Sequence, residues 1–313
     1  MPKHDTSTAD SNVLRVAGVR FILPDTSPAS GIWPAPFGEF LGENGDTEIV
    51  CRVRSDGPDE ALAAAAPDLE SPWQFRVEDG CFELTRRSSD GVALWRLRAP
   101  LGFEQAVVSW HPQRFHAVCG DYLSSWATSL GRSLLAFCLR ARGGLVLHGS
   151  AATLDGQGIL CAGVSGAGKS TMARLLHAAG ADVLTDERPV VRQWPPPAGD
   201  RNPSAPAAFR VYGTPWPSSA GFARNAWAPL RRIYFLEHGT ADGLTPLTPR
   251  EAFNRLIHVA TIPWQDAALF DPCLATVETL LQSVPCAVLS FRPTPDVVDV
   301  IRKDLVGQHE SNF

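Results

Sequence analysis

The rhythm of apolar and polar positions changes along the chain. From residue 14 to about 120 the runs are short and broken by turn signals. FRVEDGCFELTRR carries Glu78-Asp79-Gly80, and SSDGVALWRLR carries Asp90-Gly91. Both predict hairpin connections between strands. DEALAAAAPDLE, from Asp59 to Glu70, is Ala-rich and predicts one short helix among them. From Tyr122 to about Arg142 the spacing becomes helical, through Trp126, Leu130, Leu134, Phe137 and Cys138. Gly143-Gly144 ends that helix, and LVLHGSAAT follows as a buried strand. Asp155-Gly156 then turns into a second strand, GILCAG. A helix from Lys169 to about Ala179 stops at Gly180, and ADVLT is the next strand. This strand–loop–helix–strand order is the βαβ unit of an α/β sheet.

The C-terminal part begins with a segment rich in Pro, Gly and Ser, residues 193–229. It reads as a long excursion near an active face. LRRIYFLEHG and CAVLSF are strands. Thr248-Pro249-Arg250-Glu251 is a capping box with Pro in the first turn, and Asp271-Pro272 and Thr294-Pro295 repeat the cap-then-Pro signal. The expected organisation is a disordered N-terminus over residues 1–13, a β-rich domain over 14–120 and an α/β phosphate-loop domain over 121–313.

Composition narrows the class. The 313 residues are 44% hydrophobic and 19% charged, an ordinary globular balance. A formal net charge of −5 argues against broad charge-driven nucleic-acid binding. Seven cysteines (Cys51, Cys81, Cys119, Cys138, Cys161, Cys273 and Cys286) are scattered and never spaced as CxxC, which suits reduced thiols better than disulfides or zinc. The polar MPKHDTSTADSN lacks the apolar stretch of a signal peptide, and no apolar run approaches the roughly 20 residues of a membrane span. The expectation is a cytoplasmic protein with no membrane or nucleic-acid partner. His111 and His116, with no carboxylate or thiol cluster beside them, read as structural.

The chemistry is concentrated in GVSGAGKST, residues 163–171. Gly163, four residues, then Gly168-Lys169-Ser170 matches GxxxxGK[ST]. The glycines let backbone N–H groups turn toward phosphate oxygens. The helix that starts at Lys169 points its positive end at the same anion. Gly163, Ser165, Gly166, Ala167, Gly168, Lys169, Ser170 and Thr171 are thus the candidate nucleotide-binding residues. Lys169 would hold the β- and γ-phosphates, and the Ser170 hydroxyl would ligand Mg²⁺.

Asp186 and Glu187 follow at the C-terminal end of the very next strand, where ligands bind in open α/β sheets. A carboxylate there can hold Mg²⁺ or accept the proton of an attacking hydroxyl, and the two acids could divide these tasks. Asp186 is the candidate metal ligand with Ser170. Adjacent side chains on a strand point oppositely, so both reach one site only if the chain bends, as Arg188-Pro189 encourages. The alternative for either acid is a strand-end cap or a pair with an arginine. His148, at the end of the LVLHGS strand, reads equally as a core histidine or as a group orienting the acid or the acceptor.

Together, LVLHGSAATLDGQGILCAGVSGAGKSTMARLLHAAGADVLTDE resembles the catalytic core of the HPr serine kinase/phosphorylase family. Within it, the similarity is nearest to the kinases encoded with ribosomally made peptides, including lasso-peptide precursor kinases. His148, Gly163 to Thr171 and Asp186-Glu187 occupy the family's histidine, loop and acidic-pair positions. The helix before His148, GTPW (Gly213 to Trp216), PLRRIYFLEHG and VPCAVLSF extend the similarity over about residues 122–300.

The resemblance implies ATP-dependent phosphorylation of a serine hydroxyl with Mg²⁺. The acceptor would be a precursor peptide or small protein, with the second acid as general base and the histidine assisting. The family has Asp where this chain has Glu187, one methylene longer, which shifts weight toward Asp186. The segment that marks the bifunctional kinase/phosphorylases is not found, nor are the extra metal-binding lysine and histidine of phosphoenolpyruvate carboxykinases. A small-molecule hydroxyl kinase and a non-catalytic nucleotide-binding partner are the alternative functions. The 193–229 excursion would be a lid, with Arg224, Arg231 or Arg232 available for transition-state charge.

Overall fold

The structure, a computed structural model, describes residues 13–23, 33, 35–42, 49–63, 71–115, 129–195, 208–264 and 266–310. Residues 1–12 of the expected disordered N-terminus, Trp126, His116, Cys119 and residues 64–70 of the Ala-rich stretch lie outside them, while Val13 opens the first strand. The chain divides into two compact units, Met1–Cys138 and Leu139–Phe313.

The first unit is built on a sheet of seven strands: β1 (Val13–Val16), β2 (Val19–Ile22), β3 (Ile49–Pro58), β4 (Trp73–Glu78), β5 (Cys81–Arg87), β6 (Ala93–Pro100) and β7 (Gln105–Trp110). Their order is β1-β2-β3-β7-β6-β5-β4. The Asp79-Gly80 turn joins β4 to β5 with both residues at positive φ (50° and 71°), the geometry of a two-residue hairpin whose twist matches its strands. The Ala-rich segment contributes one short 3₁₀ turn, Glu60–Ala63.

Alternation splits this sheet cleanly. Val53, Phe82, Leu84, Leu97, Ala99, Ala106 and Val108 are buried on one face, while Arg52, Arg54, Arg76 and Arg98 are exposed. Phe137, from helix α1 (Ser129–Arg140), joins the buried face. Its ring stacks on Phe103 at 5.5 Å and lies 4.3 Å from Phe82. Phe137 thus belongs with the first unit, which runs to Cys138.

The second unit is a mixed sheet of nine strands covered on both faces. Its strands are β8 (Gly144–Val146), β9 (Gly149–Leu154), β10 (Gln157–Ala162), β11 (Asp182–Thr185), β12 (Val190–Trp194), β13 (Ala208–Tyr212), β14 (Trp227–His238), β15 (Gly243–Pro246) and β16 (Cys286–Phe291). The main path runs β11-β9-β10-β14-β13-β12-β8, with β16 paired to both β14 and β15. One face is covered by helices α2 (Lys169–Ala178) and α5 (Asp296–Glu310) through Met172, Leu176, Val298 and Ile301. The other is covered by α3 (Pro249–Val259) and α4 (Ala267–Ser283) through Leu256, Val277 and Leu280. Along β10, Ile159 and Cys161 face the first layer while Leu160 and Ala162 face the second. A strand buried on both faces reads as a continuous apolar run for this reason.

Helix boundaries follow their caps. Thr248 and Glu251 exchange backbone and side-chain bonds in a full capping box at the start of α3. The helix expected to start at Asp271-Pro272 begins earlier, because Asp266 accepts from Ala268 N at 2.9 Å and caps α4, leaving Pro272 inside it. The stop of α2 is a Schellman arrangement: Gly180 N donates to His177 O and Ala181 N to Leu176 O.

The apolar run LVLHGSAAT is two strands, not one. Leu147 N donates to Pro189 O, His148 N donates to Val259 O, and Leu147 makes an isolated bridge with Ala260. β8 therefore pairs with β12, while β9 pairs with β10 and β11. The break between them is where His148 leaves the ladder.

Candidate active site

Three chain segments meet at one end of the second sheet. β9 is antiparallel to β10, with Gly149 opposite Ala162, so the start of one strand lies beside the end of the other. β11 is antiparallel to β9, so the chain leaving it arrives at the same edge. Backbone bonds tie the segments together: Gly163 N donates to His148 O at 3.3 Å, and Gly149 N donates to Glu187 O at 3.1 Å.

The phosphate loop spans residues 163–168, between β10 and α2. Gly166 and Gly168 sit at φ 84° and 93°, where a side chain is strained. A Cβ on Gly168 would also lie 2.7 Å from Phe291 Cζ. Gly168 is the N-cap residue of α2, no side chain caps it, and no acidic residue lies in the first turn. The leading N–H groups of the helix are thus left to an anion. Val164, Ser165 and Gly166 are exposed, Ala167 and Lys169 are buried, and Gly168, Ser170 and Thr171 are half-buried. Lys169 Nζ donates to Val164 O at 2.8 Å, which folds the ammonium back over the loop. Burial lowers the Lys169 pKa, Glu187 nearby raises it, and Arg188 lowers it further.

His148 and Glu187 face each other across the strand ends, Nε2 to Oε1 at 3.3 Å. Arg188 Nε lies 3.3 Å from the same Oε1. The carboxyl is held below the usual glutamate range, first by its hydrogen bond to His148 and then by the charges of His148, Arg188 and Lys169, against a desolvation that raises it. Glu187 is therefore an ionised carboxylate framed by three cationic or donor groups. The extra methylene relative to Asp gives its carboxylate the reach to meet His148.

Asp186 is elsewhere. Its side chain is fully buried, with Oδ1 accepting from Ser218 N at 3.0 Å and Oδ2 from Ala220 N at 2.8 Å. Alternation along the strand exit sends the two acids opposite ways, and the Arg188-Pro189 bend does not bring them back together. The expected Ser170–Asp186 pair for Mg²⁺ does not fit this arrangement, since the Asp186 carboxylate is enclosed and bonded to the 213–226 loop. Among the described residues no group of three or more His, Cys, Asp or Glu is placed to hold a metal.

That loop is what fixes the strand exit. Thr214 Oγ1 donates to Arg188 O at 2.9 Å, Arg224 N donates to Leu184 O at 2.9 Å, and Thr185 bridges Ala223. Gly213 lies so close that a Cβ would come within 2.1 Å of Arg224 O. This is the structural content of the GTPW segment. The expected lid arginines are otherwise engaged or remote: Arg232 is buried in a two-bond ion pair with Asp304, Arg224 pairs with Asp182 at 2.8 Å, and Arg231 is exposed. Residues 196–207 of the excursion lie outside the described residues.

Two neighbours of the loop were not singled out in the sequence. Arg188 supplies the positive charge beside Glu187. His238, at the end of β14, bonds to Gly166 O through Nε2 at 2.7 Å and stacks on Phe291. The signal for His238 was available: β14 runs parallel to β10, so a polar residue just past its apolar run falls beside the phosphate loop.

Cys51, Cys138, Cys161, Cys273 and Cys286 are buried, and burial pushes the Cys161 thiol up to about 12. No helix among the described residues is long and apolar enough to cross a membrane.

No protein-family model matches the chain, and no curated protein matches it. A solved structure of the Hpr(Ser) kinase/phosphatase from Coxiella burnetii is similar over 53% of this chain and 96% of that one, at 13% identity and a TM-score of 0.27. A likeness this loose settles neither fold nor function, so both rest on this chain's own residues.

Proposed function

We propose that the second unit is a kinase that transfers the γ-phosphoryl group of ATP to an alcohol, a serine of a peptide or small protein. The observation that carries this is the ionised Glu187 carboxylate beside the uncapped phosphate loop, held by His148 and Arg188 within the electrostatic reach of Lys169. Transfer to a hydroxyl calls for a group beside the loop that can take the acceptor's proton, and an ionised carboxylate held there supplies one.

In this reading the loop N–H groups and Lys169 hold the β- and γ-phosphates. The acceptor oxygen forms a bond to the γ-phosphorus, and the bond from that phosphorus to the β–γ bridging oxygen breaks with its electron pair. ADP leaves, and the acceptor's proton passes to Glu187. A carboxylate with a lowered pKa is a modest base, which suffices when the transition state is loose and the proton departs late. His148 and Arg188 orient Glu187 and keep it charged. Mg²⁺ is expected with the nucleotide, carried by its phosphates and the Ser170 hydroxyl, while Asp186 holds the loop that shapes the site.

The test is incubation of the full chain with ATP, Mg²⁺ and serine-containing peptides, followed by mass spectrometry. One added phosphate on a serine supports the reading, together with its loss in Lys169→Ala. ATP binding with no transfer to any hydroxyl, in peptides or in small alcohols, overturns it.

A further inference from the structure

One face of the first unit's sheet carries a row of arginines with acids set between them. Strand register places Arg76 opposite Glu83, Glu83 opposite Arg98, Arg98 opposite Val107, and Val107 opposite Arg54. These five residues form a single row across β4, β5, β6, β7 and β3. Strands lie about 4.8 Å apart, so the arginines, on every second strand, recur at about 10 Å. The row lines a concavity of about 500 Å³. Arg98 and the neighbouring Arg96 share Glu83, at 2.7 and 3.6 Å. Arg54 and Arg76 are exposed and have no ion pair among the described residues. Beyond the row, the Arg87 pKa is lowered first by burial and then by the charges of Arg96 and Arg76.

We propose that this face docks an extended acidic peptide segment laid across the strands, with carboxylates three residues apart. A polyproline-II chain is extended at about 3.1 Å per residue with three residues per turn, so side chains at i, i+3 and i+6 line one side and recur at about 9 Å, close to the spacing of Arg54, Arg98 and Arg76. Each guanidinium presents a planar donor fork that a carboxylate matches. Glu83, between Arg76 and Arg98, and Glu78 and Asp79 at the rim of the same concavity repel charge placed elsewhere. Those acids, with the net charge of −5, oppose a nucleic acid, whose phosphates are too closely spaced to avoid them. The proposal deepens the kinase reading and rests on it for the partner's identity as a peptide; docking itself needs no nucleotide.

The test is fluorescence anisotropy without ATP, using a labelled peptide with Glu at i, i+3 and i+6 and its Gln analogue. The acidic peptide is expected to bind at least roughly tenfold tighter at low salt, and to weaken as salt rises. Arg54→Glu with Arg76→Glu, both at exposed positions, is expected to remove that preference while far-ultraviolet circular dichroism stays unchanged. Cys81, exposed at the lip of the concavity, supplies an independent readout, since the bound peptide should slow its alkylation. Equal binding of the two peptides, an unaltered preference in the double variant, or tighter binding of an RNA oligonucleotide overturns the proposal. Docking of the acidic peptide, combined with no transfer to any hydroxyl when ATP and Mg²⁺ are supplied, would instead sink the kinase reading and leave this face intact.

Discussion

The two sheets of this protein offer binding sites in opposite places. In the second unit both faces are buried under helices, which leaves the strand ends for the proposed chemistry, where β10 opens into the 163–168 loop and β11 releases Glu187. In the first unit one face carries the aromatic core and the other carries arginines, so recognition is spread over the face itself. A sheet end converges a few groups within hydrogen-bond distance, which suits bond making. A sheet face spaces its groups at about 5 and 7 Å, which suits an extended partner.

The sharpest way to break this comparison is at the loop. Lys169→Ala removes the ammonium proposed to hold the phosphates and is expected to reduce transfer by roughly 10²–10³-fold, with weaker nucleotide binding, in a radiolabelled-ATP assay. Peptide docking to the arginine face should not change. If transfer survives, the strand-end site is not where the reaction occurs.

Asp186→Ala comes next and should act on a different observable. It leaves the N–H groups of Ser218 and Ala220 without their anionic acceptor, and should cost about 2 kcal/mol of stability in denaturant unfolding. Transfer by the folded fraction should stay within roughly tenfold of the parent, since the lost contacts belong to the supporting loop. Abolished transfer at unchanged stability would return Asp186 to the chemistry.

The smallest effect is a shift in pH dependence. The Glu187 pKa in the folded protein lies below its unfolded value of about 4.3, so its charge and its stabilising contribution persist above that value and fade as pH falls through the folded one. His148 is the largest cause of the lowering. In His148→Ala the acid limb of the transfer rate should therefore move to higher pH. A limb that does not move would leave His148 without a part in positioning the carboxylate.

The backbone course of the 163–168 loop was legible in the sequence because its requirements are local: glycine where φ is positive, and a lysine opening the helix. The two-residue turns at Asp79-Gly80 and Asp155-Gly156 were legible for the same reason. The split of LVLHGSAAT was not, because it is imposed by Pro189, Val259 and Ala260, which capture the backbone of residues 147 and 148 from far along the chain. Alternation said that Asp186 and Glu187 would part, but not which one would meet the loop. That choice is made by the amides of Ser218 and Ala220, more than 30 residues away. Arg188 was visible only as the residue before a proline, and its charge gained meaning once Glu187 was seen beside it.

The most direct measurement is single-turnover phosphoryl transfer by Glu187→Gln, with ATP affinity measured in parallel. The substitution keeps the shape and a hydrogen-bonding group toward His148 but removes the base. The account requires a roughly 10²–10⁴-fold slower transfer with ATP bound at least as tightly as before. Transfer at the parent rate would contradict it.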